Sequence, residues 1–561
     1  MKKTTAAILI SALVLFISSC SNILPENSTD ALIEKKLSKM TTEQKIGQLF
    51  CVSFAGTELS ESTRNFLKEY SIGNVILFSK NIFNAEQTAQ LCKDLQSEIK
   101  KNAGVSAFIG TDQEGGQVIR VPDGASYYPS AMAVAAAGDS ENAETIGRYM
   151  GEELRALGIN IDFAPVADIN SNPDNPVIGT RSYGDNALLV SEYASAFAHG
   201  MKQAGEISTA KHYPGHGDTE VDSHFGLPTV DKSLDELMQT ELVPFKRLIN
   251  EDIDAIMAAH IIYPQLDKDM PASMSSVMLT DILRDKLGFE GMIITDGLRM
   301  GAVADSFSME NACIASINAG ADLLITGSGG EAEDAAFTAQ EECIKAVQNA
   351  VLSGEISEET LNKAAARILK FKEKYKISDY KFKPLDDKTL SEHSEFSKKL
   401  SRDSITLISD NGLFPIKKGE KILAMSYDHV ARLDESEEKP DTPMASRIAL
   451  KTECEAMIMP AFSKLSAQEK ADILNTYKKK AKKYDKIIVC LSSETHIDVA
   501  NAVFSANPNT IAIAVGSPYL LKNVNAKTKL CAYEYTENAA DGIIDILLGN
   551  YEPSGILPVE Y

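Results

Sequence analysis

The sequence predicts an α/β protein, a (β/α)8 TIM-type barrel followed by a smaller C-terminal α/β sandwich domain. Three observations carry this. Eight short, apolar, β-rich runs recur between residues 48 and 327, and helix-like segments separate most of them. Five of the eight runs end on, or shortly before, a polar or ionisable residue: Asp112, Asp168, Lys211 with His212, His260 and Asp296. A polar stretch follows, and a second strand–helix alternation then fills residues 400–561. Near-continuous apolar strands alternating with helices mean a parallel sheet buried on both faces. Eight such units suggest closure into a barrel. An open doubly wound sheet is the alternative.

The chain starts differently. Lys2 and Lys3 precede the apolar run "AAILISALVLFISSC". That run is too short for a typical membrane-spanning helix, and its basic start and small-residue end read as an export signal over residues 1–19. The ending "ISSC" resembles the bacterial lipobox, which implies lipidation of Cys20 and anchoring to the bacterial cell membrane or envelope. A plain signal peptide cut nearby is the alternative. Residues 20–34 read as a polar tether.

The barrel is expected over 35–376. Thr41 and Gln44 fit a capping box ahead of the first strand, "LFCVSF". The other strands are "NVILF", "SAFIGTD", "INIDFAPV", "ISTAKH", "DAIMAAH", "GMIITD" and "ADLLIT". Helices over 335–353 and 357–375 close the region. "KISDYKFKPLDDKTLSEHSEF" is polar and irregular, so residues 377–399 read as a linker. In the second domain the strands are "ITLIS", "KILAMSY", "KIIVCLS", "TIAIAVG" and "LCAYEY". Its helices lie in "KADILNTYKKKAKKY" and "AADGIIDILLG".

Bulk properties narrow the function. A chain of 561 residues exceeds one ordinary core. The 79 acidic and 56 basic residues give a net charge of −23, which argues against nucleic acid and against electrostatic docking on anionic lipid. The eight cysteines show no CxxC pairing; apart from Cys20 they read as small buried hydrophobes. "GSGGEAED" is neither a Walker loop nor GxGxxG, so nucleotide binding is not expected.

Three of the eight histidines fall in "KHYPGHGDTEVDSH", Lys211 to His224. His212 and His216 are four apart, a metal-pair spacing on a helix, but Pro214 and Gly215 forbid that helix. A zinc site and a loop of packed rings are the alternatives. Asp222 stands two residues before His224, so in a turn it can orient the imidazole for proton transfer. Gly215 and Gly217 would let such a loop move. Asp296 ends an apolar strand and reads as a nucleophile or as the N-cap of the next helix. In "GTDQEGGQVIRV", Asp112 can accept two sugar hydroxyls, with Arg120 nearby in a fork geometry. "IGTRSYG" offers Arg181.

Together these motifs resemble glycoside hydrolase family 3, in its β-N-acetylglucosaminidase branch. The resemblance covers about residues 35 to 375 through "KIGQLF", "TDQEGGQVIR", "IDFAPVADI", "GTRSYG", "KHYPGHGDTEVDSH" and "IITDGLRM". The closing "PSGILPVEY" also resembles the family's second-domain ending. The resemblance implies that Asp296 is the nucleophile, His224 the general acid/base and Asp222 its orienting partner. It implies that Asp112, Arg120, Arg181, Lys211 and His212 bind the sugar and that His216 shapes the loop. The expected activity is exo-acting, retaining hydrolysis of terminal β-linked GlcNAc, from cell-wall fragments, without metal or cofactor. A GlcNAc phosphorylase, a β-glucosidase or β-xylosidase, and a sugar-binding transporter lipoprotein are the competing readings. No obligate protein partner is evident.

Anchoring is testable directly. Cys20→Ala should move the exported protein from the membrane to the soluble fraction with unchanged specific activity. An intact mass showing an unacylated, differently cleaved N-terminus would remove the lipoprotein reading.

Overall fold

The computed structural model describes residues 29–121, 125–222, 226–304, 306–327, 333–379, 383–427, 443–462 and 465–561. The proposed signal and Cys20 lie outside the described residues. Eight strands form the first sheet: β1 (Phe50–Val52), β2 (Asn74–Ile76), β3 (Phe108–Thr111), β4 (Ile161–Asp162), β5 (Ile207–Tyr213), β6 (Ala255–Ala258), β7 (Met292–Thr295) and β8 (Leu324–Ile325). Each falls on one of the eight apolar runs, β5 reaching one residue beyond its run. They pair in parallel in the order β7-β6-β5-β4-β3-β2-β1-β8. A bridge between Ile294 and Leu323 joins the two ends, with the Thr295 amide 2.9 Å from the Leu323 carbonyl. The sheet therefore closes as a barrel. The strands are apolar because one face fills the barrel and the other meets the helices. The capping box forms as expected: the Thr41 hydroxyl accepts from the Gln44 amide at 3.2 Å, and the Gln44 side chain accepts in return at 3.1 Å.

The second sheet holds β9 (Thr406–Ser409), β10 (Ile422–Tyr427), β11 (Glu455–Met459), β12 (Lys486–Leu491), β13 (Thr510–Ala514) and β14 (Thr528–Cys531). Its order is β11-β10-β12-β13-β14-β9, parallel except for β9. Alternate residues serve opposite faces. Leu423, Met425, Ile487 and Val489 pack with the helices Ala467–Ala481 and Thr495–Ala506. Ile422, Ala424, Ile488 and Cys490 pack with the helices Met444–Lys451 and Glu537–Leu548. This is a three-layer sandwich. Sequence reading missed β11, a half-exposed edge strand whose short apolar run, Ala456 to Met459, is rich in methionine and cut off by Pro460.

Two boundaries need correction. The tether reading of 20–34 overlaps the helix Thr29–Leu37, which buries Ile33. The linker reading of 377–399 overlaps the helix Asp387–Asp403. That helix buries His393, Ser397, Leu400 and Ser401, spaced as one helical face but mostly polar, so the usual apolar stripe is hidden. His393 explains how a polar face can be buried. Its ring stacks on Tyr149 at 3.8 Å, and its Nδ1 lies 2.9 Å from the Glu153 carboxylate.

The second domain is fastened to the barrel by the segment after β3. The helix Ala131–Ala136 inserts Met132, Ala133 and Ala136 into the sandwich core. The Ser130 amide donates to Glu534 at 3.1 Å, and the Ile556 amide to the Ala136 carbonyl at 2.8 Å. Burial raises the Glu534 carboxyl to about 7. The chain end then crosses back, with the Glu560 amide on Asp185 at 2.6 Å.

At the opposite end of the barrel, the buried Asp322 ties β7 to β8. Its carboxylate accepts from Arg284 at 2.6 Å, Arg367 at 2.9 Å and the Ile293 amide at 2.9 Å. Burial lowers the Arg284 guanidinium to about 10 despite this partner. Asp322→Ala strands a buried cation and should cost about 3–5 kcal/mol. Arg367→Ala removes a cation that is 33% exposed and should cost about 1 kcal/mol or less. Thermal and denaturant midpoints check this; equal losses would refute the distinction.

Candidate active site

The carboxyl ends of β3 to β7 bring the expected residues to one face. Asp112 and Glu114 follow β3, and Lys211 and His212 lie within the end of β5. The Lys211 ammonium bridges Asp112 at 2.7 Å and Glu114 at 2.6 Å. Arg181, in the short turn Gly179–Arg181, forks onto Glu114 with two contacts of 2.8 Å. Such bidentate, charge-assisted pairs are the strongest of ordinary hydrogen bonds. Burial alone would raise the Glu114 carboxyl, but Arg181 and Lys211 outweigh it and hold it well below the usual range. Burial would likewise lower the Lys211 ammonium, yet Asp112 and Glu114 raise it. Two carboxylates and two cations thus form a neutral quartet.

His212 belongs to a second buried cluster. Asp168 is fully buried beyond β4 and takes His212 Nδ1 at 2.7 Å. It also accepts the amides of His212 at 3.1 Å and His216 at 2.7 Å. Burial would raise the Asp168 carboxyl, but His212 outweighs it and lowers it. The other ring nitrogen of His212 lies 3.4 Å from the Arg181 guanidinium, which can only donate. That assigns the Nδ1 proton of His212 to the Asp168 contact. His216 is buried with Nδ1 2.8 Å from the Thr219 hydroxyl, and burial lowers it to about 4. Its ring meets that of His212 edge-on at 5.8 Å.

The glycines of this loop are packed close. A Cβ on Gly217 would lie 1.6 Å from the Ile169 carbonyl oxygen. The Gly217 carbonyl accepts from the Asn172 amide at 3.2 Å, and the His216 carbonyl from Asn175 at 2.9 Å. Close approach of the backbone accounts for glycine at Gly217, and contact with Glu241 for glycine at Gly215. From Asp218 the loop rises to the surface, with Glu220 and Val221 exposed. Asp222 is half-buried and its carbonyl accepts from the Gly226 amide at 3.2 Å. His224 lies outside the described residues, so the proposed Asp222–His224 pair has no geometry here.

Asp296 directly follows β7. Its amide donates to the Ala258 carbonyl at 3.0 Å, and its Oδ1 accepts from the Gly297 amide at 2.7 Å. The next helix begins at Gly301, so the N-cap alternative is closed. His260, fully buried after β6, holds this turn by donating from Nε2 to the Gly297 carbonyl at 3.1 Å. Ser273 fixes its other nitrogen at 2.7 Å. Arg120 is buried on the return arm of the β3 hairpin, and its amide donates to Gln113 at 2.8 Å. Among the described residues no cluster of His, Cys, Asp and Glu is arranged to hold a metal ion.

Two residues of these clusters were not among the expected site residues. Glu114 sits in "TDQEGG", but the strand-end rule favoured Asp112. Asp168 was noted as a strand-end residue without a role; the signal for it was a carboxylate in "FAPVAD" facing the histidine strand.

Comparison with known proteins bears on the family and the fold. Residues 41–371 match the glycosyl hydrolase family 3 N terminal domain. The chain is 32% identical to beta-hexosaminidase A of Pseudoalteromonas piscicida over 68% of its own length and 70% of that protein. It is 37% identical to a beta-hexosaminidase of Chromobacterium violaceum, over 51% and 81%. A glycoside hydrolase family 3 beta-N-acetylglucosaminidase from Paenibacillus sp. superposes with a TM-score of 0.84 at 32% identity, covering 93% of this chain and 99% of that one. With a matched stretch spanning more than half its length, and the barrel that stretch requires, the chain belongs to glycoside hydrolase family 3.

Proposed function

We propose that the protein is an exo-acting, retaining β-N-acetylglucosaminidase that removes terminal β-linked GlcNAc, probed most naturally with peptidoglycan-derived fragments. The observation that carries this is Asp296 at the end of β7, on the barrel face that also holds the Asp112–Glu114–Arg181–Lys211 quartet. The names of the similar proteins, beta-hexosaminidase and beta-N-acetylglucosaminidase, support the substrate class.

In this mechanism the Asp296 carboxylate attacks the anomeric carbon while the bond to the leaving oxygen breaks. His224 gives that oxygen its proton, oriented by Asp222. Water then attacks the glycosyl ester, His224 takes the proton, and GlcNAc leaves with its β configuration retained. The quartet and His212 receive the sugar hydroxyls as pre-oriented donors and acceptors. Because Lys211 and Arg181 are already compensated by Asp112 and Glu114, they do not cancel the charge that Asp296 needs. In the same reading, acylated Cys20 holds the enzyme at the envelope membrane.

Turnover of a chromogenic β-GlcNAc, compared with β-glucoside and β-xyloside and with and without phosphate, tests the reading. Preference for a glucoside, or a sugar phosphate as product, would overturn it. Asp296→Ala should lower kcat by several orders of magnitude; retention of more than about a tenth of the rate would exclude the nucleophile role. Glu114→Gln keeps shape but leaves two buried cations facing one carboxylate. It should lower kcat/KM by about a hundredfold or more, through misplaced contacts. His224→Ala should spare activated aryl glycosides in the first step far more than natural linkages, and azide should rescue the second step. Equal losses on both substrate types, without an azide effect, would move the acid elsewhere.

A further inference from the structure

We propose that the cleft between the β3 hairpin and the second domain is a second carbohydrate subsite, taking a neutral N-acetylated sugar unit of the same glycan chain. The proposal deepens the glycosidase reading and rests on it for the identity of that chain. The cleft has a volume of about 650 Å3, a size suited to a small ligand. One wall is the tip of the hairpin that carries Asp112 and Glu114. A second is the helix Asp387–Asp403, and the third is the start of the helix Glu537–Leu548.

Its place follows from the hairpin. The Glu114 and Gly115 amides both donate to the Val118 carbonyl, at 2.9 and 3.2 Å, so the turn is tight. Gly116 has φ +60°, and a Cβ there would lie 2.6 Å from Ser130. Gln117, at the tip, lines the cleft and is three residues from Glu114. Three residues span at most about 11 Å. A glycan that leaves the quartet along this hairpin would bring its next units to the cleft.

Its lining fits an uncharged sugar. Tyr535 is held by its hydroxyl, which donates to the Tyr427 carbonyl at 3.0 Å and accepts from the Met444 amide at 2.8 Å, so the ring is what lines the cleft. Tyr127 stands at the mouth, 38% exposed, with its carbonyl anchored by Asn538 at 3.1 Å. Ser391 and Ser394, one turn apart on the same helix face, add hydroxyls. The charges at the rim have partners: Lys398 pairs with Glu395 at 2.9 Å, and Glu537 with Arg447 at 2.7 Å. Asp387 sits in the first turn of its helix, where the dipole favours a carboxylate. Aromatic rings beside neutral hydroxyls and amides suit a sugar carrying an acetamido group, and among the described residues two of the rim charges, Lys398 and Glu537, are already paired.

The test compares full-length protein with Tyr127→Ala and with Ser394→Trp, which fills the cleft. Substrates are β-linked GlcNAc oligomers of increasing length and a chromogenic β-GlcNAc. KM for the long oligomers should rise about three- to tenfold in both variants, the scale of a lost aromatic contact. The chromogenic substrate and the disaccharide should change less than about twofold, and the fall of KM with chain length should flatten. Calorimetry should show long oligomers binding the unaltered protein and binding Ser394→Trp more weakly by the same factor. Unchanged oligomer constants, or equal losses on every substrate, would overturn the proposal. An effect confined to peptide-bearing substrates would assign the cleft to a peptide and also overturn it. Should the protein turn over no β-GlcNAc, the glycosidase reading would fall, and the calorimetric comparison would still decide the subsite.

Discussion

The buried Glu114 carboxylate is the constraint on which the catalytic face depends. It receives Arg181 from the segment after β4 and Lys211 from β5 while itself belonging to the hairpin after β3. Three strand ends are thereby joined through one side chain. Taking four charges out of water is costly, and the cost is offset only when geometry and hydrogen bonding are good on every side. Here each cation meets a carboxylate within 2.8 Å. Polar groups held this way need little rearrangement when a sugar arrives, which is what an effective site requires.

The same hairpin is secured from three directions, and this gives the second domain a mechanical connection to the site. From inside the barrel, the buried Asp162 accepts the Gln113 amide at 2.9 Å. Burial raises the Asp162 carboxyl well above its ordinary range. Along the barrel wall, Glu153 takes the Ser126 amide at 2.9 Å and the Tyr128 hydroxyl at 2.9 Å, and also meets His393. From the sandwich, Glu534 and the returning chain end hold Ser130 and Ala136. The loop that carries two carboxylates of the quartet is thus a junction between both domains and the helix joining them.

What could be read from the sequence depended on whether burial and residue type agreed. The eight barrel strands were legible because most are short apolar runs, buried throughout. The helix Asp387–Asp403 was not, because His393 and Ser397 fill its buried face and take hydrogen bonds in place of apolar contact. β11 was hidden for the opposite reason, being an edge strand whose apolar residues stay half exposed. At the site, single strand-end residues such as Asp296 and Lys211 stood out. Glu114 and Asp168 did not, since their importance lies in partners distant in sequence: Arg181, Lys211 and His212. The motif resemblance supplied roles for individual residues; the pairing between them required the fold.

The pairing also explains why the histidine-rich loop is divided. From Lys211 to Gly217 every residue is buried, and Asp168, Asn172 and Asn175 hold its backbone and rings. This half holds His212 through its ring and its backbone. His216, lowered by burial to about 4, stays uncharged near neutral pH and adds no positive charge beside Asp168. Beyond Thr219, Glu220 and Val221 are exposed and Asp222 is half-buried. A sugar-binding group benefits from immobility, because its hydrogen bonds form at no ordering cost. A group that must protonate one oxygen and later deprotonate a water benefits from access to solvent and to both positions. His212 lies on the packed side of that boundary and Asp222 on the more accessible side, so the expected sugar-binding and proton-transfer roles fall on differently held halves of one segment.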